Sequence, residues 1–291
     1  MERRDPPEPS PTDPRSLPAA DGTPETTGFQ MSGKRVAVEL ALVVGVLVGL
    51  VGGVLGLSRW VATRYAASVP LDVDRTFGEQ TSRLLATTSP LCDDPAAQAY
   101  VERIAAPLVT ALADPRFSFS FVVADDPEVN AFALPGGFVT VNRGLLESAE
   151  SGDEVAAVLA HELTHVTRRH STVRLLRELG ATAVLSGLFG GTDVAVPAKA
   201  LHDFLSTAYD RDQEREADEG GLAVLRRANI DPRGMARFFD RLAKTSATPP
   251  ALLSTHPDPG DRAENARKAV VPGRTYATLP APPRPFACKK P

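Results

Sequence analysis

A short run near the middle of the chain has the residue types and spacing needed to bind a metal ion and activate water. Residues 160–165 are Ala-His-Glu-Leu-Thr-His, which puts two histidines four positions apart. On a helix the two imidazoles share one face and can bind a single Zn²⁺, beside a glutamate able to take a proton from water. The pattern predicts His161 and His165 as zinc ligands and Glu162 as the general base of a metalloprotease. The alternative is a solvated helix face.

The flanking residues favour a helix at this position. Ser151 and Glu154 are candidates for a capping box at its start. Apolar residues then recur at helical spacing: Val155, Leu159, Leu163 and Val166. We therefore expect both histidines to point the same way from one helix.

A charged stretch further along can complete the site. A catalytic zinc needs three protein ligands and an open fourth position, and the first motif supplies two. Glu214 and Asp218 lie one helical turn apart. We predict Glu214 as the third ligand and Asp218 as the acceptor of a ring N–H from a ligating histidine. Because Arg211, Arg215 and Glu216 lie in the same stretch, a charged surface helix is the alternative.

Together these motifs resemble a known family. His-Glu-Leu-Thr-His, then Glu-x-x-Ala-Asp from Glu214 and the glycine pair 220–221, are similar to the HtpX-like and CAAX-prenyl-protease-type gluzincin metalloendopeptidases. That family includes bacterial periplasmic proteases of outer-membrane quality control. Residues 130–146 resemble its strand, glycine turn and edge strand before the zinc helix, and residues 71–78 resemble its opening segment.

The resemblance spans about residues 70–270, and it implies the same zinc ligands and the same base. It also implies that His256 reaches the zinc site. There His256 would donate a hydrogen bond to the oxyanion, or occupy the vacant zinc position until substrate displaces it. Arg262 would support His256 or contact the substrate carbonyl. A loop histidine and a surface arginine at a helix start are the alternatives.

Composition divides the chain into four parts. With 291 residues and 43% hydrophobic content, it can bury a core. We expect a disordered Pro-rich segment over 1–33, a membrane anchor over 36–58, a metallopeptidase domain over 70–271 and a Pro-rich tail over 272–291. The net charge is −4 and no basic stripe is present, which argues against a nucleic-acid partner.

The anchor is predicted from an apolar run at 36–57, which is long enough to cross a bilayer. Trp60 lies at the depth expected for an interfacial aromatic residue. A cleaved signal peptide starting at Met31 is the alternative, although the run is long and lacks a clean cleavage site. Basic residues flank both ends, so the positive-inside rule does not decide the orientation.

The two cysteines bear on the compartment. Cys92 and Cys288 could form one disulfide, which would indicate an oxidising environment, or remain two unrelated thiols. We place the catalytic domain in the periplasm, or otherwise outside the cytoplasm, chiefly on the family resemblance.

The order of elements predicts a mainly helical α+β fold with a small sheet, of the zincin type, preceded by one transmembrane helix. A helix is expected over 96–112, a strand over 117–123 and another helix from Asp231. Residues 181–205 are apolar and rich in glycine. They are too short and broken to span a membrane, and we expect either a packed helical hairpin or a loop that contacts substrate.

These features predict a membrane-anchored zinc endopeptidase that hydrolyses misfolded or misassembled envelope proteins. Zinc would lower the pKa of water to about 7, and Glu162 would pass a proton from this water to the leaving amine. An edge strand around 138–141 would bind extended protein or peptide substrates. A chaperone-like assembly factor with latent proteolysis is the alternative. A structural zinc site or a non-metal domain fits less well, because structural sites favour cysteine and four protein ligands.

Overall fold

The structure is a computed structural model that describes residues 33–66, 68, 70–112, 114, 116–174, 176–177, 206–245, 250–257 and 261–288. Two sequence predictions fall outside this part of the chain. They are the disordered segment 1–33, apart from its last residue, and the apolar segment 181–205.

Helices dominate the described chain, with a small sheet inserted between the third and fourth. The elements are α1 (Gly33–Ala66), α2 (Leu71–Thr88), α3 (Pro95–Thr110), β1 (Ser120–Ala124), β2 (Ala131–Leu134), a 3₁₀ turn (Pro135–Gly137), β3 (Phe138–Asn142), α4 (Arg143–Ser148), α5 (Gly152–Thr167), α6 (Arg211–Arg227), α7 (Arg233–Thr245), α8 (Ala251–Thr255) and α9 (Arg262–Lys268). This arrangement confirms the predicted fold class, and the two expected helices and the first strand correspond to α3, α7 and β1.

The sheet has the strand order β1-β3-β2, with β1 parallel and β2 antiparallel to β3. The prediction that residues 138–141 form an edge strand is therefore wrong, because β3 pairs on both sides. Gly136 and Gly137 have φ values of 76° and 91°, a conformation that glycine adopts without strain. They turn the chain back so that β2 pairs with β3 and lies at the edge of the sheet.

One face of the sheet forms the core with α3 and α5. Residues of β2 and β3 that alternate onto this face are fully buried: Ala131, Ala133, Val139 and Val141. Helix α5 contacts α3 and β2, and also α6 and α7. Nearly every residue of α5 is buried as a result. The predicted zinc helix is thus held by packing on several sides.

The start of α5 differs from the predicted capping box. Ser151 is the N-cap residue, but its buried hydroxyl has no hydrogen-bond partner among the described residues. Glu154 instead accepts the N–H of Glu150 at 2.8 Å and forms an ion pair with Arg241 of α7 at 2.5 Å. The Glu154 side chain therefore forms an ion pair with a helix distant in sequence instead of the capping hydrogen bond that the local pattern predicted.

The C-terminal segment lies along the domain and is joined to it covalently. Cys92 and Cys288 form a disulfide, with their Cα atoms 4.7 Å apart. The Tyr100 hydroxyl donates to the carbonyl of Pro280 at 3.0 Å, and Arg284 donates to backbone carbonyls near the end of α4. A cross-link of this kind stabilises a domain by about 2–5 kcal/mol, mainly by restricting the unfolded chain.

Helix α1 contains a stretch, Lys34–Val54, with a mean hydropathy of 2.4 and no buried residues. Its length and composition suffice to cross a membrane, and a signal sequence would pass the same test. The described chain up to Val51 is a unit separate from the compact unit that begins at Gly52.

Candidate metal centre

The two predicted motifs meet where α5 packs against α6. Gly221 permits this close approach, because a Cβ there would lie 3.1 Å from the backbone nitrogen of His161. A capping box between Asp210 and Gln213 fixes the start of α6. Glu214 follows directly and faces α5 as a buried side chain.

Four side chains converge at this contact with one possible ligand atom each. His161, His165, Glu214 and His256 are all buried, and their ligand atoms lie within 4.8 Å of one another. The Nε2 atoms of His161 and His165 are 3.0 Å apart. Carboxylate oxygens of Glu214 lie 3.5 Å from Nε2 of His161 and 3.3 Å from Nε2 of His165. Every predicted ligand therefore directs an atom to the same small volume.

A second layer of charged groups surrounds these atoms. Asp218 lies 2.9 Å from Nδ1 of His161 and accepts the proton that this nitrogen donates, so Nε2 is the nitrogen that faces the other candidate ligands. Arg262 donates to both oxygens of Asp218, at 2.8 and 2.9 Å, and to Glu214 at 2.6 Å. Arg262 is 1% exposed, so the surface alternative for this residue is wrong. It holds the two carboxylates in place.

His256 follows the short helix α8 and points into the cluster. Its Nδ1 lies 3.2 Å from Nε2 of His161 and 3.0 Å from an oxygen of Glu214. Its Nε2 lies 3.4 Å from Glu162. One ring therefore faces both the predicted ligands and the predicted base.

Two further side chains contact His165 and are predicted by neither motif. His170 Nδ1 lies 2.9 Å from Nδ1 of His165, and the Tyr209 ring stacks on His165 at 3.8 Å between centroids. Arg169 has φ 59°, and this turn after the end of α5 folds His170 back onto His165. Helical spacing does not predict such a turn. The presence of a further histidine five positions after His165 was the one feature of the sequence that could have suggested His170 as a neighbour of the site.

Glu162 is completely buried, and neither carboxylate oxygen has a hydrogen-bond partner among the described residues. Burial raises the pKa of this carboxyl above its usual range. A buried acceptor without a partner is unusual and marks a group held ready for a ligand or for proton transfer.

The charges in the cluster favour a cation. Burial opposes ionisation of Glu214, but its electrostatic interactions with His256 and His161 outweigh burial and hold its pKa far below the usual range. Burial likewise lowers the pKa of His161, yet Glu214 and Asp218 raise it to about 10. Burial lowers the pKa of His165 well below its usual range. Glu214 thus stays ionised and draws in positive charge, which a metal ion or a proton can supply.

Zinc is a good match for this donor set. Two imidazole nitrogens and one carboxylate are the ligands of open catalytic zinc sites, and the hydrogen bond from Nδ1 of His161 to Asp218 directs Nε2 of that ring to the other ligand atoms. The Glu162 carboxylate, which accepts no hydrogen bond from the described residues, lies 3.4 Å from His256 of the same cluster.

A mainly helical domain with a small sheet, a buried His-Glu-x-x-His helix and a carboxylate from a second helix define a metallopeptidase of the gluzincin type. Residues 95–270, more than half of the chain, match the family described as Peptidase family M48. The chain belongs to this family, which confirms the resemblance drawn from its motifs.

Named relatives match between about half and three quarters of the chain. A Beta-barrel assembly-enhancing protease of Yersinia pestis is 30% identical over 234 residues, 75% of this chain and 48% of that protein. The Mitochondrial metalloendopeptidase OMA1 of Arabidopsis thaliana is 35% identical over 159 residues, 53% of this chain and 32% of the relative. Metalloprotease LoiP of Escherichia coli strain K12 is 30% identical over 147 residues, 48% of this chain and 58% of the relative.

The chain spans about half the length of the beta-barrel assembly-enhancing relatives that it matches. The part of this chain that matches the family, residues 95–270, includes both motifs of the candidate metal centre.

Proposed function

We propose that the chain is a zinc-dependent endopeptidase in which His161, His165 and Glu214 bind the metal and Glu162 is the general base. The observation that carries this proposal is the convergence of the three ligand side chains beside a buried carboxylate that accepts no hydrogen bond from the described residues. Asp218 and Arg262 are positioning residues, because they hold His161 and Glu214 through hydrogen bonds.

In this mechanism the protein groups bind, orient and move protons. A bound zinc ion would supply Lewis acidity, polarising the scissile carbonyl and lowering the pKa of a water molecule. Glu162 accepts a proton from the attacking water and delivers it to the leaving amine. The raised pKa of Glu162 suits both steps near neutral pH.

Strand β2 replaces residues 138–141 as the proposed substrate-binding strand. Asn142 donates to the carbonyl of Asn130, so residue 130 directs its backbone groups towards β3. Backbone groups alternate along an antiparallel strand, and those of Ala131 and Ala133 are directed to the edge of β2 that pairs with no described strand. The Ser171 hydroxyl already donates to the carbonyl of Ala133 at 2.7 Å. An extended substrate pairs with the remaining edge groups.

The apolar part of α1 anchors the protein in a membrane, and the peptidase domain lies in the periplasm or another extracytoplasmic space. The disulfide supports an oxidising compartment. The names of the beta-barrel assembly-enhancing relatives support misfolded or misassembled envelope proteins as substrates.

Metal removal tests the zinc assignment. We expect full-length protein in detergent to contain close to one zinc per chain and to digest casein. Stripping the metal with a chelator should lower the rate by roughly 10²-fold or more, because both the water and the carbonyl lose their activating charge. Zinc added back should restore the rate, whereas magnesium should not. Undiminished digestion by metal-free protein would contradict the proposal.

His256 has two proposed roles that differ in the sign of their effect. As a hydrogen-bond donor to the oxyanion, it lowers the barrier, and His256→Ala should reduce kcat by roughly 10²-fold. As a fourth ligand that keeps the enzyme latent, it blocks substrate, and the same substitution should raise the rate. Its Nδ1 lies among the predicted ligand atoms, which supports latency. Initial rates and zinc content of wild type and variant decide between them, and no change in either would exclude both.

A further inference from the structure

A cavity of about 530 Å³ lies on the other face of the sheet, away from α5. Side chains of β1 and β3 that alternate to this face line it, among them Val122, Thr140 and Asn142, and α2 and α8 form its sides. Its volume is in the range of small-molecule and side-chain pockets.

We infer that this cavity binds a lysine or arginine side chain of the substrate. The inference rests on the proposed function, because it concerns the substrate of the same peptidase site. It names a chemical preference that neither the zinc motif nor the family match specifies.

The first observation is an unpaired buried acceptor. Asn130 lines the cavity and is 8% exposed, and its Oδ1 has no hydrogen-bond partner among the described residues. Leaving such an acceptor unpaired costs free energy, so a donor from a ligand is favoured there. Lysine and arginine side chains carry only donors at their polar ends.

The second observation is negative charge at the same cavity. Asp126 and Glu128 line it, and within the described chain neither carboxylate forms an ion pair with lysine or arginine. The neighbouring Asp125 differs, because it pairs with Arg143 at 2.6 Å. Partial desolvation of this otherwise exposed side chain, and then the charge of Asp126, raise the pKa of Glu128, so a bound cation would relieve the repulsion.

The loop that carries these carboxylates is held in place before any ligand binds. Asp126 accepts the Glu128 N–H through its side chain at 2.8 Å and the Gly144 N–H through its carbonyl at 2.9 Å. A Cβ at Gly144 would lie 2.1 Å from the carbonyl oxygen of Pro127, so this packing requires glycine. A preformed loop loses little entropy on binding.

The cavity is also in the right place relative to the candidate active site. Asn130 directly precedes β2, and Thr255, which also lines the cavity, directly precedes His256. A substrate strand paired with β2 continues the sheet, and every second side chain falls on the face that bears the cavity. Apolar residues such as Leu85 and Phe132 can contact the aliphatic stem, while the carboxylates bind the charged end.

Matched peptides test the inference on the full-length zinc-loaded protein in detergent. Lysine is moved through the positions flanking the cleaved bond, and each peptide is paired with one that has norleucine instead. In wild type we expect kcat/KM for lysine to exceed that for norleucine by about tenfold at one position. In the double variant Asp126→Asn/Glu128→Gln this ratio should fall to about one. The control Glu102→Gln, an exposed carboxylate on α3, should keep the wild-type ratio.

A single charge reversal at Glu128 provides a second test in case the double variant does not fold. Glu128 is exposed, so Glu128→Lys should be tolerated and should shift the preference from lysine towards glutamate at that same position. A wild-type ratio of about one at every position, or an unchanged ratio in the variants, overturns the inference. Failure of the proposed function looks different: wild type would then cleave neither peptide faster than Glu162→Gln does.

Discussion

Replacing Glu162 with glutamine is expected to lower kcat/KM for peptide hydrolysis by roughly 10²-fold or more. Glutamine has nearly the same shape but cannot accept a proton from water. Since Glu162 makes no hydrogen bond among the described residues, the substitution changes only its 3.4 Å contact with Nε2 of His256. The rate with a fluorogenic peptide, the zinc content and the thermal unfolding midpoint should be measured together. Zinc should stay close to one per chain and the midpoint should hardly move.

Glu219→Gln is a matched control, because Glu219 is an exposed residue of α6. It should behave like wild type in all three measurements. If Glu162→Gln keeps more than about half of the wild-type rate, Glu162 is not the base. A variant that is inactive on peptides yet still supports growth of cells that need the protein would favour the assembly-factor alternative.

Replacing Glu214 with alanine is expected to remove the zinc, whereas Asp218→Ala should weaken zinc binding by only about 10- to 100-fold. Glu214 approaches both ligating nitrogens, while Asp218 contacts the far nitrogen of His161. The first substitution deletes a ligand, and the second only loosens the orientation of one. Competition with a fluorescent chelator gives the zinc affinity of each variant directly.

The Glu214→Ala variant also loses an ion pair with Arg262, which affects the stability of the protein. Arg262 is buried and bound to both carboxylates, and removing one partner of a buried ion pair costs about 3–5 kcal/mol. The metal-free proteins should therefore be compared by thermal unfolding, with Glu214→Gln as the shape-conserving variant. Glu216→Ala is the matched control, because that side chain is 54% exposed. Zinc lost on replacing Glu216 but kept on replacing Glu214 would show that the ligand is misassigned.

The sequence by itself determined what depends on spacing within one helix. His161 and His165, and likewise Glu214 and Asp218, share a face because a helix turns every 3.6 residues, whatever surrounds it. The long apolar run in α1 is equally local, since length and composition alone define a candidate membrane span. The family was also recognisable, because its two motifs lie in these helices.

Only the tertiary structure decided how separate segments meet. Spacing does not show that β3 pairs on both sides and β2 lies at the edge, because that depends on the turn at Gly136 and on which strand arrives beside which. Spacing also does not show that Glu154 pairs with Arg241 instead of capping its own helix, nor that the His170 ring contacts His165. Such contacts join residues by packing, and packing energy depends on the whole core rather than on neighbours in the chain.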